Sequence, residues 1–493
     1  MSASRPLFVA LAAILAAGCN FAPKYTRPST PSPTPAAWKE LTPADYASTD
    51  GWKQAQPRDG VIRGSWWEMF DDPLLNELER QVDAANQTLA QAFASHRAAE
   101  AVVAQYRSQL FPTLAASASA TRSGPSGSSQ TAPTGGAGGI GGSQYQALLN
   151  ASWELDLWGS VRNSVAAYGD EAQATAADLE NTRLLLHAQL GVDYFQLRGQ
   201  DAQRQLLDAT VVAYRKTLEL TQVKHEYGTA SDYDVVQAQT QLEQTIAQDI
   251  DLGISRAQYE HAIAVLVGRA ASGFSIPVAP LQANPPAVPL GVPSQLLERR
   301  PDIAAGERRV AEFNAQIGVA KAAYFPTLTL SGDVGFSSNA LSTLFSLPSR
   351  IWAFGASLAG TLFDGGKRQA QVEQALANYE YDVAGYRQTV LTAFQQVEDY
   401  LASVRILSQE RRQQDAAVAS AQKALALEMD RYRLGVDPYL NVITAQTILL
   451  SNQRTALTLR MEQMTATVQL IEALGGGWDA SRLAVKVRAS SQR

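Results

Sequence analysis

The sequence predicts a mainly α protein with a small β part, an internal duplication of long antiparallel helical hairpins and short amphipathic strands. Three observations predict it. First, Gly228-Thr-Ala-Ser-Asp-Tyr-Asp-Val-Val-Gln-Ala-Gln-Thr240 aligns without gaps on Gly435-Val-Asp-Pro-Tyr-Leu-Asn-Val-Ile-Thr-Ala-Gln-Thr447, 207 residues further on. Self-similarity at a fixed offset marks a repeated architecture. Second, Val372, Tyr379, Tyr386, Ala393, Tyr400 and Leu407 recur every seven residues, interleaved with Leu376, Val383, Val390, Val397 and Val404. A sustained two-position heptad is the pattern of a helix packed side by side on others. Third, four segments of about ten residues alternate apolar with small or polar positions, the period of a strand.

Taken in order, the chain opens with Arg5 and the apolar run Leu7 to Ala17, closed by Gly18-Cys19. Such a run is too short to span a bilayer as a helix but fits the core of a signal peptide, assigned to residues 1–18. Small residues before a cysteine also suit a lipobox, in which Cys19 is diacylated and becomes the mature N-terminus. The leucine stands one place early, at Leu15, with Ala16 in the usual position. Asn20 rather than aspartate follows, which favours the outer membrane. Residues 19–65 form a tether, rich in Pro, Thr and Ser from Pro23 to Pro35.

The first structural repeat covers 66–270. Strands are expected at about 112–122 and 145–156, separated by the Gly/Ser-rich insert Ser123 to Ser143. Within it Gly136-Ala-Gly-Gly-Ile-Gly141 formally matches a dinucleotide fingerprint, but no helix opens behind it, so the context of a phosphate site is missing. A proline-free helix runs from Ser160 to Tyr227 and ends at Gly228, as a left-handed cap requires. Ser231 then caps a new helix, with Asp234 three residues on. Pro277, Pro280, Pro285, Pro286, Pro289 and Pro293 make 271–293 an extended connector.

The second repeat, 294–476, carries strands at about 327–337 and 351–363 and a helix from Lys367 to Leu434, interrupted by one glycine, Gly385. At 1.5 Å per residue each long helix reaches about 100 Å, a length no compact domain accommodates. Gly435 ends it; Asp437 is expected to cap the next helix, with Pro438 its first residue. A tail follows at 477–493. The turns at Gly228 and Gly435 are expected at one end of the molecule.

Composition narrows the function. Of 493 residues 46% are hydrophobic and 18% charged, with a net charge of −6 and no long basic run, so a nucleic-acid surface has nothing to build on. The histidines His96, His187, His225 and His261 are scattered, Cys19 is the sole cysteine, and no metal, cofactor or catalytic constellation emerges. The strands present apolar residues on one face and small or polar ones on the other, Gln146, Asn150, Ser152, Glu154, Asp156 and Asp333 among them with Leu148 the exception, which a membrane barrel with a wet lumen needs. A soluble sheet covered by a core is the alternative, yet the helices spend their apolar stripes on each other. Barrels must close, and four strands are too few. Two copies would pool eight strands and three would pool twelve; the periodicity does not choose.

Several local motifs resemble one family. They are Gly18-Cys19-Asn-Phe-Ala-Pro-Lys-Tyr-Thr-Arg-Pro28, Trp66-Trp67 followed by Phe70-Asp71-Asp72-Pro73-Leu74, Glu298-Arg-Arg-Pro-Asp-Ile303, Leu362-Phe-Asp-Gly-Gly-Lys-Arg368 and Arg431-Tyr-Arg-Leu-Gly-Val-Asp437. In this order and over nearly the whole mature chain, they resemble the TolC-like outer-membrane efflux proteins of the lipid-anchored, NodT/OprM-type branch that serves RND pumps. The resemblance implies a homotrimer with a trimeric α-barrel tunnel below a shared twelve-stranded transmembrane β-barrel. It implies a passive gated duct, without enzymatic activity, for small molecules such as drugs or toxic compounds. Its partners would be outer-membrane lipid, a periplasmic adaptor and an inner-membrane RND-type pump. It further implies that Asp437 lines a pore constriction and that the turns carrying Tyr432, Gly435 and Gly228 contact the adaptor. His225 replaces the tyrosine in the first copy, and the gate acids of some relatives are absent, Asn441 and Thr444 standing in their places. A lipid-anchored periplasmic adaptor or structural coiled coil would explain Cys19 and the heptads but not the strands. A channel for type I protein secretion is the other alternative.

Overall fold

The structure, a computed structural model, describes residues 20–30, 35, 37–40, 65–124, 142–281, 284–288 and 293–478. The signal segment, Cys19, most of the Gly/Ser insert and the C-terminal tail beyond Trp478 lie outside these residues. The described chain contains α1 (Pro73–Ala85), α2 (Gln87–Ser108), β1 (Thr113–Ser123), β2 (Gly142–Leu155), α3 (Ser160–Glu226) and α4 (Asp232–Leu266). After the connector come α5 (Pro293–Arg299), α6 (Pro301–Ala322), β3 (Thr327–Ser338), β4 (Arg350–Ala359), α7 (Lys367–Arg433) and α8 (Tyr439–Ala473). Both repeats therefore read helix, strand, strand, long helix, helix. The chain is divided into two compact units, Met1–Pro28 with His96–Ala174 and Gly306–Tyr386, and Ser29–Ser95 with Thr175–Ala305 and Arg387–Arg493.

The first unit contains an antiparallel sheet in the order β1-β2-β3-β4. Its register decides which side chains share a face. Leu114 pairs with Ala151, Ala116 with Leu149 and Ala120 with Tyr145. Trp153 pairs with Leu330 and Leu149 with Val334; Leu330 pairs with Ala356, Val334 with Trp352 and Leu328 with Leu358. Because paired residues project to the same side, these form one apolar face across all four strands. The other face carries Ser117, Asn150, Ser152, Thr329, Ser331, Asp333 and Ser357. The apolar face is bare: Trp352 is 67% exposed, and Phe354, Leu358 and Leu114 are similarly open.

Close approach of two strands requires Gly335, where an added Cβ would lie 2.1 Å from the Ala147 carbonyl oxygen. β4 stops at Ala359, short of the expected 363, because its partner residue Thr327 begins β3. The preceding Pro326 has no N–H to extend the ladder. At this end of the sheet Trp153 Nε1 donates to Leu110 O at 3.1 Å and Trp158 Nε1 to Pro326 O at 2.7 Å. Asp156 accepts from the backbone N–H of Val161 and Arg162 at 3.0 and 2.9 Å and so starts α3. Phe21 stacks on Phe325, which stacks on Trp158, at 4.4 and 4.9 Å.

In the second unit the heptad of α7 buries Val390, Ala393 and Val397 completely. The connector is pinned by charge: Arg198 Nη1 donates to Pro277 O at 2.7 Å, and Asp201 accepts from Ala279 N at 3.0 Å and Arg256 Nε at 2.7 Å. Such a buried carboxylate is tolerable because each oxygen has a donor. No described helix is long and apolar enough to cross a membrane, a statement that has no bearing on a β-barrel.

Candidate functional site

Helices α3 and α7, 67 residues each, end in the same way. Gly228 and Gly435 adopt φ of 73° and 77°, which side-chain-bearing residues rarely adopt. Thr229 N donates to Lys224 O at 2.8 Å and Gly228 N to His225 O at 2.9 Å. In the second copy Val436 N donates to Arg431 O at 2.9 Å and Gly435 N to Tyr432 O at 3.1 Å. This double bond pattern around a left-handed residue is the Schellman cap. The chain then reverses into α4 and α8.

The two restarts differ. Ser231 caps α4 as expected: its side chain accepts from Asp234 N, and the Asp234 carboxylate accepts from Ser231 N at 3.0 Å. Asp437 does not cap α8. Pro438 occupies the cap position, Tyr439 is the first helical residue, and no side chain caps the helix. The Asp437 carboxylate is instead taken by Arg431 in a forked ion pair, with Arg431 Nη2 3.1 Å from Oδ1. Charge-assisted pairing across the turn outcompetes a single capping bond. The hydrogen bond and charge of Arg431 hold the Asp437 pKa below the usual carboxylate range.

The structure brings the two turns together. Lys224 Nζ, from the last turn of α3, donates to Tyr432 O at 2.5 Å and lies 4.3 Å from the Tyr432 ring centre. Tyr432 Oη donates to Thr221 Oγ1 at 3.1 Å, and Gln446 Nε2 to Thr217 Oγ1 at 3.2 Å. Around them Tyr432, Tyr439, Val442 and Ala238 form a buried cluster. Burial raises the Tyr432 pKa, so its phenol stays neutral. Only 4% of Tyr432 is exposed. Its part in any contact is therefore to hold the turn from inside, while Tyr227, Tyr233, Leu434 and Val436 stand out from the surface. His225, at the equivalent place, is exposed, with Nδ1 3.2 Å from Ala230 O in its own turn.

Sequence reasoning missed Lys224, Thr221 and Arg431. A signal existed: Lys224 and Arg431 each stand four residues before a turn glycine, so a cation recurs at one position of both repeats. Cations there also face the negative end of their helices. What could not be read is that the two cations diverge, one reaching to the other hairpin and one folding back on its own turn.

The family described as outer membrane efflux protein matches this chain over residues 78–269 and 292–476. A probable efflux pump outer membrane protein of Pseudomonas putida, SepC, is 33% identical over 474 residues, 96% of this chain and 97% of that protein. The outer membrane protein OprJ of Pseudomonas aeruginosa is 31% identical over 484 residues, 96% of each chain. Among solved structures, the outer-membrane channel OprN is similar with a TM-score of 0.83 at 29% identity, covering 93% of this chain and all of that one. The open state of the MtrE outer membrane channel of Neisseria gonorrhoeae gives 0.81 at 27% identity, covering 94% of this chain and 99% of that one. With two matched regions that together cover more than half of its length, this chain belongs to the outer membrane efflux protein family.

Proposed function

We propose that three copies of this chain pool their four strands into one twelve-stranded barrel in the outer membrane, while their long helices line a duct into the periplasm. The observation that carries this is the sheet's bare apolar face together with its edge strands, β1 and β4, which have no strand partner among the described residues. In hydrocarbon an open edge leaves backbone groups unsatisfied, so the edges must find partners in other copies. Cys19, diacylated, would tether each copy, with the aromatic stack begun by Phe21 holding the following residues at the end of the sheet where the helices begin.

The turns at Gly228 and Gly435 form the gated periplasmic end, where an adaptor engages them and an RND-type pump in the inner membrane supplies the energy. Asp437 marks the constriction. Its charge is shared with Arg431, so opening has to separate or rotate an ion pair as well as spread helices. The chain itself contributes a conduit, with no catalytic step. The toluene efflux pump protein TtgF of Pseudomonas putida, 33% identical over 474 residues, fits cargo of small apolar compounds.

The test is purification of the native protein in mild detergent, with gel migration before and after heating. An SDS-resistant species of three chains that collapses on boiling is expected. Deleting the gene should sensitise cells to small toxic compounds, and the wild-type gene should restore resistance. A monomer in the soluble periplasmic fraction would overturn the proposal.

A further inference from the structure

The loop between β3 and β4 is built unlike a water-facing loop. Its eleven residues from Asn339 to Ser349, like Ser337 and Ser338 that close β3, include no charged side chain. Leu341, Phe345 and Leu347 are 64, 73 and 82% exposed, while Leu344 is buried and pins the loop from within. Several of its polar groups are bonded within the loop, while Asn339, Ser342 and Thr343 stay exposed. Ser346 Oγ and Ser349 Oγ donate to Thr343 O at 2.7 and 2.8 Å, and Ser346 N donates to the same carbonyl at 3.1 Å. Ser338 Oγ lies 2.7 Å from Thr343 Oγ1 and accepts from Ala340 N at 3.2 Å. A loop made for water would hide its leucines. Satisfying polar groups internally and presenting hydrocarbon is what a segment in lipid must do.

The loop is also continuous with the apolar face of the sheet. Phe345 packs edge-on against Phe336 at 5.6 Å, and the register puts Phe336 on the face that carries Ala147, Val334 and Trp352. Arg350, the residue paired with Phe336, stands beside it on that face. An arginine at the end of an apolar band is suited to anionic headgroups, its stem remaining in the apolar layer.

We infer that the β3–β4 loop is a membrane-interface anchor, its Leu341, Phe345 and Leu347 side chains inserted among the acyl chains of the leaflet farther from the helices. This rests on the barrel reading above. Topology supplies the leaflet, since β2 runs into α3, and α6 leads into β3, at the opposite end of the sheet. The anchor would fix the depth of the barrel in the bilayer and hold the loop off the duct mouth.

The test is site-directed spin labelling of the full-length protein in phosphatidylethanolamine–phosphatidylglycerol vesicles. The only native cysteine is Cys19, and unsubstituted protein carried through the labelling serves as the blank. Labels go on Phe345→Cys, on Trp352→Cys as the sheet-face reference, and on Tyr233→Cys as the aqueous reference. The ratio of collision with oxygen, which concentrates in lipid, to collision with a water-soluble nickel chelate should be several-fold higher at 345 than at 233 and should match 352. A nickel-accessible label at 345 beside an oxygen-accessible one at 352 overturns the anchor and leaves the barrel standing. Shielding of 345 from both reagents also overturns it, indicating burial against another loop or another copy. Nickel access at 352 would instead sink the barrel reading itself.

Discussion

At the scale of single residues, two ion pairs invite measurement. His187 lies between two carboxylates of α1, with Nδ1 2.6 Å from Glu79 Oε2 and Nε2 3.4 Å from Asp83 Oδ1, under the ring of Trp67. Burial alone would push the imidazole pKa down, but hydrogen bonds to Asp83 and Glu79, and their charges, hold it up at about 9. An unfolded histidine titrates near ~6.5. The stability from this imidazolium is therefore complete below that value and lost as pH rises through about 9. Burial lifts Glu79 to about 7 against the pull of His187, and ionising a carboxyl whose pKa is raised by folding works in the same direction. Thermal unfolding followed by circular dichroism should show stability falling from pH 6.5 to 9.5 by on the order of 2 kcal/mol. His187→Gln should flatten that fall, and an unchanged slope in the variant would disprove the assignment. At the tip, Arg431→Gln frees Asp437 from its partner. In planar bilayers the variant should gain cation preference several-fold, and adding Asp437→Asn should remove the gain; equal selectivity in all three proteins would take Asp437 out of the constriction.

At the scale of elements, the close pairing of β2 and β3 depends on the missing side chain at position 335. An alanine there would meet the backbone oxygen of Ala147, which cannot move without opening the ladder. Gly335→Ala should cost about 2 kcal/mol or more, as overpacking against rigid groups does, and lower the heat resistance of the assembled species on gels. Gly332→Ala is the informative comparison, because the added atom would there meet the Phe354 ring rather than backbone. A side chain can swing aside, so a smaller loss is expected. If the two variants lose assembly equally, the contact at 335 is not the cause. The long helices show a related division. Val390, Ala393 and Val397 are sealed, yet Leu376, on the same heptad register, is 40% exposed. A heptad stripe states that a helix packs somewhere, not that its own chain supplies the cover.

For the whole molecule, the open sheet makes a sharp demand. Trp352→Lys places a charge on the apolar face, at a cost of about 2–4 kcal/mol if that face meets the middle of a bilayer. Asp333→Asn, on the opposite face, changes a charge where water is expected. Outer-membrane fractionation and heat-modifiable gel migration should show loss of the assembled species in the first variant and none in the second. Equal behaviour of the two would mean that the faces are not divided between lipid and water.

Much of this organisation was already legible in the linear order of residues. Duplication, the four strands, both long helices and the turn glycines each rest on local periodicity or on backbone preferences that a short window of sequence carries. Ser231 with Asp234 is such a case, since a capping box is closed within four residues. Asp437 is the opposite case. Its position favoured a cap, but the competing partner six residues back became decisive only once the turn had folded Arg431 towards it. Side-chain choices across elements were decided in three dimensions: Lys224 reaching Tyr432, Phe345 settling on Phe336, His187 caught between two acids. Spacing along a chain fixes what a residue can do locally, whereas the partner it meets depends on which distant segment the packing delivers within hydrogen-bond or van der Waals reach.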